Sequence, residues 1–285
     1  MLLFCATQAM SCSAQQEVAR SGSLPGDTAS IPPPLVTLTN RDGRMQLGLR
    51  LVEAPGRKEW TNALRLRAYE EEMVEGPLGG LWLNGVQVIS KDAPRLIDKQ
   101  SGNDWTCVSM DVTPFEKGKV RKFTRRLLHV EPDLFVVCDE VSLTEPAIVE
   151  IEWCFPEGVA RESKWEEWRL QLSRAGLTAR ILGSPRNNEQ SQPSPGAPGW
   201  VCVRSGTTNQ AVEFRQITAM VPHEKQGRRS LAFKFLESDS AIGLRVHRDG
   251  LPTLIAFHKG AAVEANLTGL KFTGPVAVEV FRPKK

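Results

Sequence analysis

The stretch VRKFTRRLLHVEPDLFVVCDEVSLTEPAIVEIEWCFPEG (120–158) decides the fold class, because apolar and polar residues alternate along much of its length. In its last part, AIVEIEWCF (147–155), four large apolar residues share one side and two glutamates the other: Val149, Ile151, Trp153 and Phe155 opposite Glu150 and Glu152. A period of two is typical of a strand with one face in a core and the other toward solvent. The stretch therefore predicts several consecutive β-strands.

The same alternation continues on both sides of this stretch, as in MQLGLRLV (45–52), ALRLRAY (63–69) and VAVEV (276–280). Turn sequences such as NRDG (40–43) and HRDG (247–250) separate the alternating segments. Strands that are half buried and joined by short turns are typical of antiparallel sheets. The sequence therefore predicts an all-β protein, a large multi-stranded antiparallel β-sandwich (a supersandwich) of two or more stacked sheets.

Two internal segments fit this pattern less well. RESKWEEWRLQLSRAG (161–176) places its tryptophans and leucines at spacings that suit a helix or a strand, and we favour the strand. SPRNNEQSQPSPGAPG (184–199) has no large aliphatic residue and is rich in Pro, Ser, Asn and Gln, which predicts a mobile surface loop. Residues 15–33 are predicted to be a linker or arm, and residues 34–285 the sandwich domain.

The N-terminal segment MLLFCATQAMSCSA (1–14) resembles the end of a secretory signal peptide, because it is uncharged and ends in small residues. This interpretation predicts a secreted or periplasmic protein. The alternative is an unstructured cytoplasmic N-terminus.

Composition excludes two classes of protein. The 285 residues are 41% apolar and 24% charged, which is the composition of a soluble globular protein. The 36 basic residues are nearly balanced by 33 acidic ones, so a nucleic-acid partner held by bulk positive charge is excluded. No apolar run approaches the roughly 20 residues that span a bilayer, so the protein is not expected to cross a membrane.

The cysteines outside the N-terminal segment lie within apolar stretches, where cysteine behaves as a small core residue: Cys107, Cys138, Cys154 and Cys202. No two of them have the spacing of metal ligands. The sequence predicts buried free thiols rather than disulfides, and neither a metal site nor a cofactor.

The central stretch resembles the β-sandwich module of the heparinase II/III-type polysaccharide lyases. The matching features are an arginine-bearing strand with Arg121, Arg125 and Arg126, the Pro132-Asp133 turn, and the aliphatic strand ending in Asp139-Glu140. GGLWLNGVQ (79–87) and the C-terminal strands are similar to further parts of that module. The resemblance covers about residues 60–283 in order, and it implies the same sandwich fold and a polysaccharide partner.

The resemblance does not extend to the family's catalytic machinery. Those lyases pair the sandwich with an N-terminal α/α-barrel, and no stretch of this sequence has such a helical pattern. They also take histidines from the β-module for catalysis and for a structural zinc. His129, His223, His247 and His258 do not lie in the corresponding motifs. We therefore carry over no catalytic residue and no metal ligand.

One basic segment is a candidate for binding polysaccharide. KGKVRKFTRR (117–126) has six basic residues in ten. On a regular strand four of its residues would share one face: Lys119, Arg121, Phe123 and Arg125. An aromatic ring flanked by guanidinium groups suits sulfated or carboxylated sugars, because guanidinium binds such anions bidentately. The alternative is a solvated edge strand whose charges prevent aggregation.

Other residues with catalytic chemistry have structural interpretations. Tyr69 is the only tyrosine, and the three glutamates that follow it would repel an anionic substrate. We interpret it as an amphipathic residue on the sheet surface. His129 ends an apolar stretch and is expected to be packed or bonded to a turn. His247 and His258 would come together only if the register of their strands allowed it.

Three hypotheses about function follow. The protein is a heparinase II/III-like β-sandwich that recognises or processes an anionic polysaccharide and is catalytically incomplete on its own. Alternatively, it is a fragment or subunit of an active lyase whose α/α-barrel is encoded upstream or separately. In the third hypothesis it is a structural or protein-binding sandwich with no role in carbohydrate binding.

Overall fold

A computed structural model describes residues 36–53, 60–75, 80–88, 94–114, 119–162, 167–184, 187–193, 198–224, 231–248, 250–260 and 264–281. Pro34–Lys285 forms one compact unit. The predicted signal-peptide end (1–14) and linker (15–33) lie outside the described residues. Among the residues described, none forms a helix long and apolar enough to cross a bilayer.

Regular structure in the described ranges consists of β-strands. The first twelve are β1 (Val36–Thr39), β2 (Met45–Glu53), β3 (Trp60–Ala68), β4 (Glu71–Glu75), β5 (Leu81–Leu83), β6 (Val86–Val88), β7 (Arg95–Ser101), β8 (Trp105–Asp111), β9 (Val120–Val130), β10 (Leu134–Ala147), β11 (Val149–Pro156) and β12 (Ala160–Glu162). The others are β13 (Glu167–Gln171), β14 (Ala175–Ser184), β15 (Asn187–Pro193), β16 (Trp200–Thr207), β17 (Ala211–Glu224), β18 (Leu231–Glu237), β19 (Ala241–Arg248), β20 (Leu251–His258), β21 (Ala265–Leu267), β22 (Leu270–Phe272) and β23 (Val276–Val280).

The strands form five antiparallel sheets. The largest has eight strands in the order β12-β13-β14-β17-β10-β9-β8-β7. A five-stranded sheet has the order β15-β16-β11-β5-β6, and two four-stranded sheets have the orders β1-β2-β3-β4 and β18-β19-β20-β23. β21 and β22 form a separate hairpin. The predicted all-β antiparallel sandwich is confirmed.

Three apolar cores join the sheets into layers. The first lies between one face of the eight-stranded sheet and the β1–β4 and β15-β16-β11-β5-β6 sheets, and includes Leu47, Leu127 and Trp153. The second joins the opposite face of the eight-stranded sheet to the β18-β19-β20-β23 sheet, for example through Val136 and Leu244. The third lies between that sheet and the β21–β22 hairpin. The eight-stranded sheet is therefore the central layer, with apolar packing on both faces.

The alternation in residues 147–155 correctly predicted which face of β11 is buried. Val149, Ile151, Trp153 and Phe155 all lie in the first core, as their spacing predicted. Within the stretch that resembles a further part of the lyase module (79–87), β5 and β6 form a hairpin, in which Asn84 and Gly85 join the strands with positive φ angles of 49° and 77°. An Asn-Gly pair of this kind matches the twist of a two-residue hairpin.

Residues 161–176 form strand rather than helix where they are described, since β13 pairs with β14 in the central sheet. The loop predicted for residues 184–199 is wrong in its middle part. Asn187–Pro193 is strand β15, which pairs along its whole length with β16. Its polar composition suits this place because β15 is the outermost strand of its sheet.

The cysteine prediction is half wrong. Cys107 and Cys138 are buried and free, as predicted, whereas Cys154 and Cys202 form a disulfide. The two bonded residues lie directly opposite each other on β11 and β16, with their Cα atoms 4.1 Å apart. The sequence did not reveal this pairing, because 48 positions separate the two residues and only the strand register brings them together.

Candidate functional site

The predicted binding face of β9 is interrupted by a β-bulge. In the pairing with β10, Lys122 lies opposite Ser142, whereas Val120 lies opposite the next residue, Leu143, so Arg121 is an extra residue on β9. A bulge breaks the alternation of side chains between the two faces. Arg121 therefore donates to Ser142 Oγ at 2.8 Å and to Glu213 Oε1 at 3.0 Å, whereas Phe123 packs in the first core.

The expectation that Phe123 and Arg125 lie on an exposed face is wrong. Their exposed fractions are 4% and 2%. Arg125 Nε donates to Asp139 Oδ1 at 2.6 Å and its Nη2 to Asp139 Oδ2 at 3.1 Å, so the pair is bidentate inside the protein. The guanidinium carbon also lies 5.3 Å from the centre of the Phe123 ring and 5.9 Å from that of Trp153. Both residues therefore belong to the packing between layers.

The motif on which the family resemblance rests is largely a set of ion pairs across β9 and β10. Arg126 Nη2 lies 3.4 Å from Glu140 Oε2, one position along from the Arg125–Asp139 pair. Asp133 lies in the turn between β9 and β10, and its Oδ1 accepts a hydrogen bond of 2.5 Å from Arg248 Nη1. This bond links β19 to that turn. These pairs are almost fully buried, so their observed role is structural.

Two of the four predicted site residues do lie at the surface. The Lys119 side chain is 49% exposed and 3.8 Å from Glu145 Oε2. The Arg121 side chain is 63% exposed and paired with Glu213. The structure thus leaves a smaller cationic surface than the sequence predicted.

A cavity of about 830 Å³ lies elsewhere, where the start of β2, the end of β3, the β13–β14 turn and the end of β17 meet. Its lining is strongly polar: Gly43, Arg44, Gln46, Arg67, Tyr69, Glu70, Ser173, Arg174 and Glu224. Three arginines and two glutamates give these residues a formal charge of +1. The volume is within the range of about 300–1,000 Å³ that is usual for small-ligand sites.

The β3–β4 turn forms one wall of the cavity and has an unusual backbone. Tyr69 and Glu70 have positive φ angles of 52° and 69°. Two-residue hairpin turns with both φ angles positive ordinarily use Asn or Gly, because other side chains are strained there. Strain of this kind is concentrated at functional sites. The only tyrosine of the chain is thus held at the cavity wall by a conformation that its residue type disfavours.

The glutamates that follow Tyr69 do not act as free charges. Glu70 accepts a hydrogen bond from Arg174. Glu72 is bound by Arg65 and lies 3.8 Å from Arg67 Nε. These carboxylates therefore repel an anion less than the sequence suggested, because each faces a cation or several hydrogen-bond donors.

Glu71 connects the two turns that flank the cavity. Its carboxylate accepts hydrogen bonds from the Ser173 hydroxyl and from the backbone N–H groups of Arg174 (3.1 Å) and Ala175 (3.0 Å). Partial burial would raise the pKa of the Glu71 carboxyl, but these hydrogen bonds outweigh it and leave the pKa below its usual value of 4.5. The ionised side chain fixes the position of the β13–β14 turn beside the β3–β4 turn.

None of the described histidines is itself a lining residue of the cavity. His223 lies next to it, because it directly precedes the lining residue Glu224 and its Nδ1 is 3.0 Å from the Glu224 carbonyl oxygen. His129 is buried and stacks on Phe135 with ring centres 4.6 Å apart, as expected for a packed residue. β19 and β20 do pair, but His247 lies opposite Pro252 and His258 opposite Ala241, at opposite ends of the two strands. The two histidines therefore do not form a site.

Among the described residues, the one group of side chains with metal-ligand spacing is Glu152, Cys154 and Cys202. Its sulfur atoms are joined in the disulfide, which leaves no thiolate to bind a metal. Glu152 accepts from Arg204 Nε at 2.7 Å, and the Arg204 guanidinium stacks 3.4 Å above the Trp82 ring. We interpret this cluster as a structural part of the five-stranded sheet.

Sequence reasoning missed the cavity, although one signal for it was present. The alternation in residues 63–69 already placed Arg67 and Tyr69 on one face. Arg44 and Arg174 could not have been added, because they come from a distant turn and a distant hairpin. The strained turn at Tyr69 and Glu70 carries no glycine or asparagine that would have marked it.

No family model matches the sequence, and no curated protein matches it. Solved structures do share its fold. A crystal structure of heparinase III aligns with a TM-score of 0.60 at 12% identity, covering 75% of this chain and 40% of that one. The heparan sulfate lyase HepC from Pedobacter heparinus aligns with a TM-score of 0.59 at 12% identity, covering 81% and 44%. The chain thus spans about two fifths of the length of these neighbours, and the likeness concerns the fold.

Proposed function

We propose that this protein is a β-sandwich related to the β domain of polysaccharide lyases, and that it binds an anionic polysaccharide without completing β-elimination on its own. The observation that carries the proposal is the cavity that Arg44, Arg67 and Arg174 line together with Tyr69. The fold shared with heparinase III and HepC supports the same class of ligand.

The lining residues offer the contacts that a charged sugar needs. Guanidinium groups bind carboxylate and sulfate with two parallel hydrogen bonds. The amphipathic Tyr69 side chain can pack against a sugar ring and bond to a hydroxyl. Gln46 and Ser173 add further polar groups for sugar hydroxyls.

Lys119 and Arg121 are proposed as outer contacts for the same type of polymer. Both side chains are exposed and form surface ion pairs, to which Arg121 adds a hydrogen bond to Ser142 Oγ. Exposed ion pairs contribute little to stability and exchange readily. We assign Phe123 and Arg125 no ligand contact, because both are buried in the first core.

The proposal assigns binding rather than catalysis to this chain. β-Elimination from a uronic acid needs a group that neutralises the carboxylate, a base that removes the C5 proton and an acid that protonates the leaving oxygen. The cavity arginines can serve the first role. Its lining offers Tyr69 but no histidine for the other two.

An extracytoplasmic location is part of the proposal. The Cys154–Cys202 disulfide supports it, because disulfides persist in oxidising compartments such as the periplasm and the extracellular space.

The proposal is tested by measuring retention of the purified protein on immobilised heparin and on neutral dextran across a salt gradient. We expect retention on heparin that salt removes, and none on dextran, because exposed ion pairs are screened by salt. With heparin in solution we expect no ultraviolet absorbance from unsaturated uronides. Equal behaviour on both columns would refute binding of an anionic polysaccharide, and a rise in absorbance would refute the lack of catalysis.

A further inference from the structure

Two carboxylates of the cavity lining pair with two of its three arginines. Glu70 binds Arg174, and Glu224 Oε1 lies 3.7 Å from Arg44 Nη1. All four residues line the same cavity. The protein's own acidic groups thus stand where the acidic groups of a ligand would bind.

These two ion pairs differ from the structural ones in their exposure. The Arg174 and Glu70 side chains are 65% and 74% exposed, and those of Arg44 and Glu224 are 62% and 66% exposed. The Arg125 and Asp139 side chains, in contrast, are 3% and 1% exposed. Exposed pairs contribute little to folding, so the two cavity pairs can open without cost to the sandwich.

The backbone directs Glu70 toward its partner. Glu70 follows Tyr69 in the strained β3–β4 turn, and Glu71 next to it is fastened to the β13–β14 turn that carries Arg174. The backbone therefore keeps the Glu70 carboxylate close to Arg174. A group held near its partner competes at a high effective concentration.

Arg67 is in a different position from the other two arginines. Its carboxylate neighbour is Glu72 at 3.8 Å, which is outside the cavity lining and is also bound by Arg65. The positive charge of Arg67 is therefore not neutralised by a carboxylate of the cavity lining. An incoming anion can meet Arg67 first, before the other two arginines exchange their partners.

We infer that Glu70 and Glu224 are internal competitors of the anionic ligand, and that binding proceeds by exchange of their carboxylates for two acidic groups of the polysaccharide on Arg174 and Arg44. This inference rests on the proposed function. It assigns the two glutamates the role of limiting affinity, so that only a polymer with closely spaced acidic groups binds well.

The test compares the parent protein with Glu70→Gln, Glu224→Gln and Glu264→Gln on immobilised heparin and by titration with a heparin oligosaccharide. Glu264 is the matched control, because it is exposed, pairs with Lys271 at 3.7 Å, and lies outside the cavity lining. All three changes remove one negative charge. We expect Glu70→Gln and Glu224→Gln to bind about two- to fivefold more tightly, the range for release of one exposed ion pair, and Glu264→Gln to match the parent.

A double-mutant cycle separates competition for Arg174 from a general effect of charge. In an Arg174→Gln background, the change Glu70→Gln should bring no further gain, because the group over which it competed is gone. The inference is overturned if the parent binds heparin and Glu70→Gln binds no better than Glu264→Gln, or if the gain persists without Arg174. If the parent and all variants pass through the column unretained, the proposed function itself fails.

Discussion

Arg125 and Asp139 face each other across β9 and β10, joined by hydrogen bonds of 2.6 and 3.1 Å and almost completely removed from solvent. The pair lies between the central sheet and the outer β15-β16-β11-β5-β6 sheet, with the guanidinium beside Phe123 and Trp153. An arginine that was predicted to be part of a binding surface therefore joins β9 to β10 within the central sheet and packs against Trp153 of the next layer. Burial of a charged residue in such a pair distinguishes the residues that stabilise the fold from those that remain accessible to a ligand.

The first prediction follows from this pair. Arg125→Ala should lower the free energy of unfolding by about 3–5 kcal/mol, because it leaves a buried carboxylate without its partner. Arg121→Ala, four residues earlier on the same strand, should lower it by less than about 1 kcal/mol because its ion pair is exposed. Urea denaturation of both variants measures the difference. Equal stability of the two variants would show that Arg125 is not a core residue.

A second prediction concerns the cysteines. In denatured, unreduced protein, peptide mapping after alkylation should find Cys107 and Cys138 modified and Cys154 joined to Cys202. In the native protein the two free thiols should react slowly, because burial raises the pKa of each to about 12 and excludes the reagent. Removal of the disulfide by Cys154→Ala should cost about 2–4 kcal/mol of stability. Alkylation of Cys154 and Cys202 without reductant would refute the bond.

A third prediction uses the buried histidine. Burial lowers the pKa of His129 from 6.5 to about 4, with a smaller opposing effect from its bond to the Pro132 backbone. The unfolded chain thus binds more protons than the folded one between these values, so stability should fall as the pH drops from 6.5 toward 4, by about 3 kcal/mol at most. His129→Phe, which keeps a ring against Phe135, should flatten this dependence.

The control for that experiment is His247→Gln, since His247 is exposed at the end of β19. Its pH profile of unfolding should follow that of the parent. If His129→Phe retains the full slope between pH 6.5 and 4, the protonation of another group causes the acid sensitivity.

The period of two was enough to predict the fold class, because the strands of the outer sheets bury one face each, although the central sheet is covered on both faces. Met45, Leu47 and Leu49 are all buried while Gln46 between them is exposed, as their alternation required. The predicted binding face failed for Phe123 and Arg125, because β9 lies in the central sheet and both of its faces are covered there. The bulge at Arg121 also breaks the alternation that would have aligned the four predicted residues. Neither the sequence of β9 nor its charge marks that bulge.

The cavity was beyond sequence reasoning for a different reason. Arg44, Tyr69 and Arg174 are distant in sequence and meet only because β2, β3 and the β13–β14 turn end at the same place. The disulfide depended on strand register in the same way. Local patterns predict which face of a strand is buried, whereas sites built from several strand ends require the pairing of the whole sheet.

The measurement that most directly tests the central claim compares two charge-matched double variants on immobilised heparin. Arg67→Gln/Arg174→Gln removes two positive charges from the cavity, and Lys119→Gln/Arg121→Gln removes two from the exposed end of β9. All four side chains are largely exposed, so both proteins should unfold at nearly the parent's temperature. We expect the cavity variant to elute near the lowest salt, while the β9 variant loses only part of its retention. If the cavity variant elutes like the parent, or if the β9 variant loses more, the cavity is not the site where this protein binds an anionic polysaccharide.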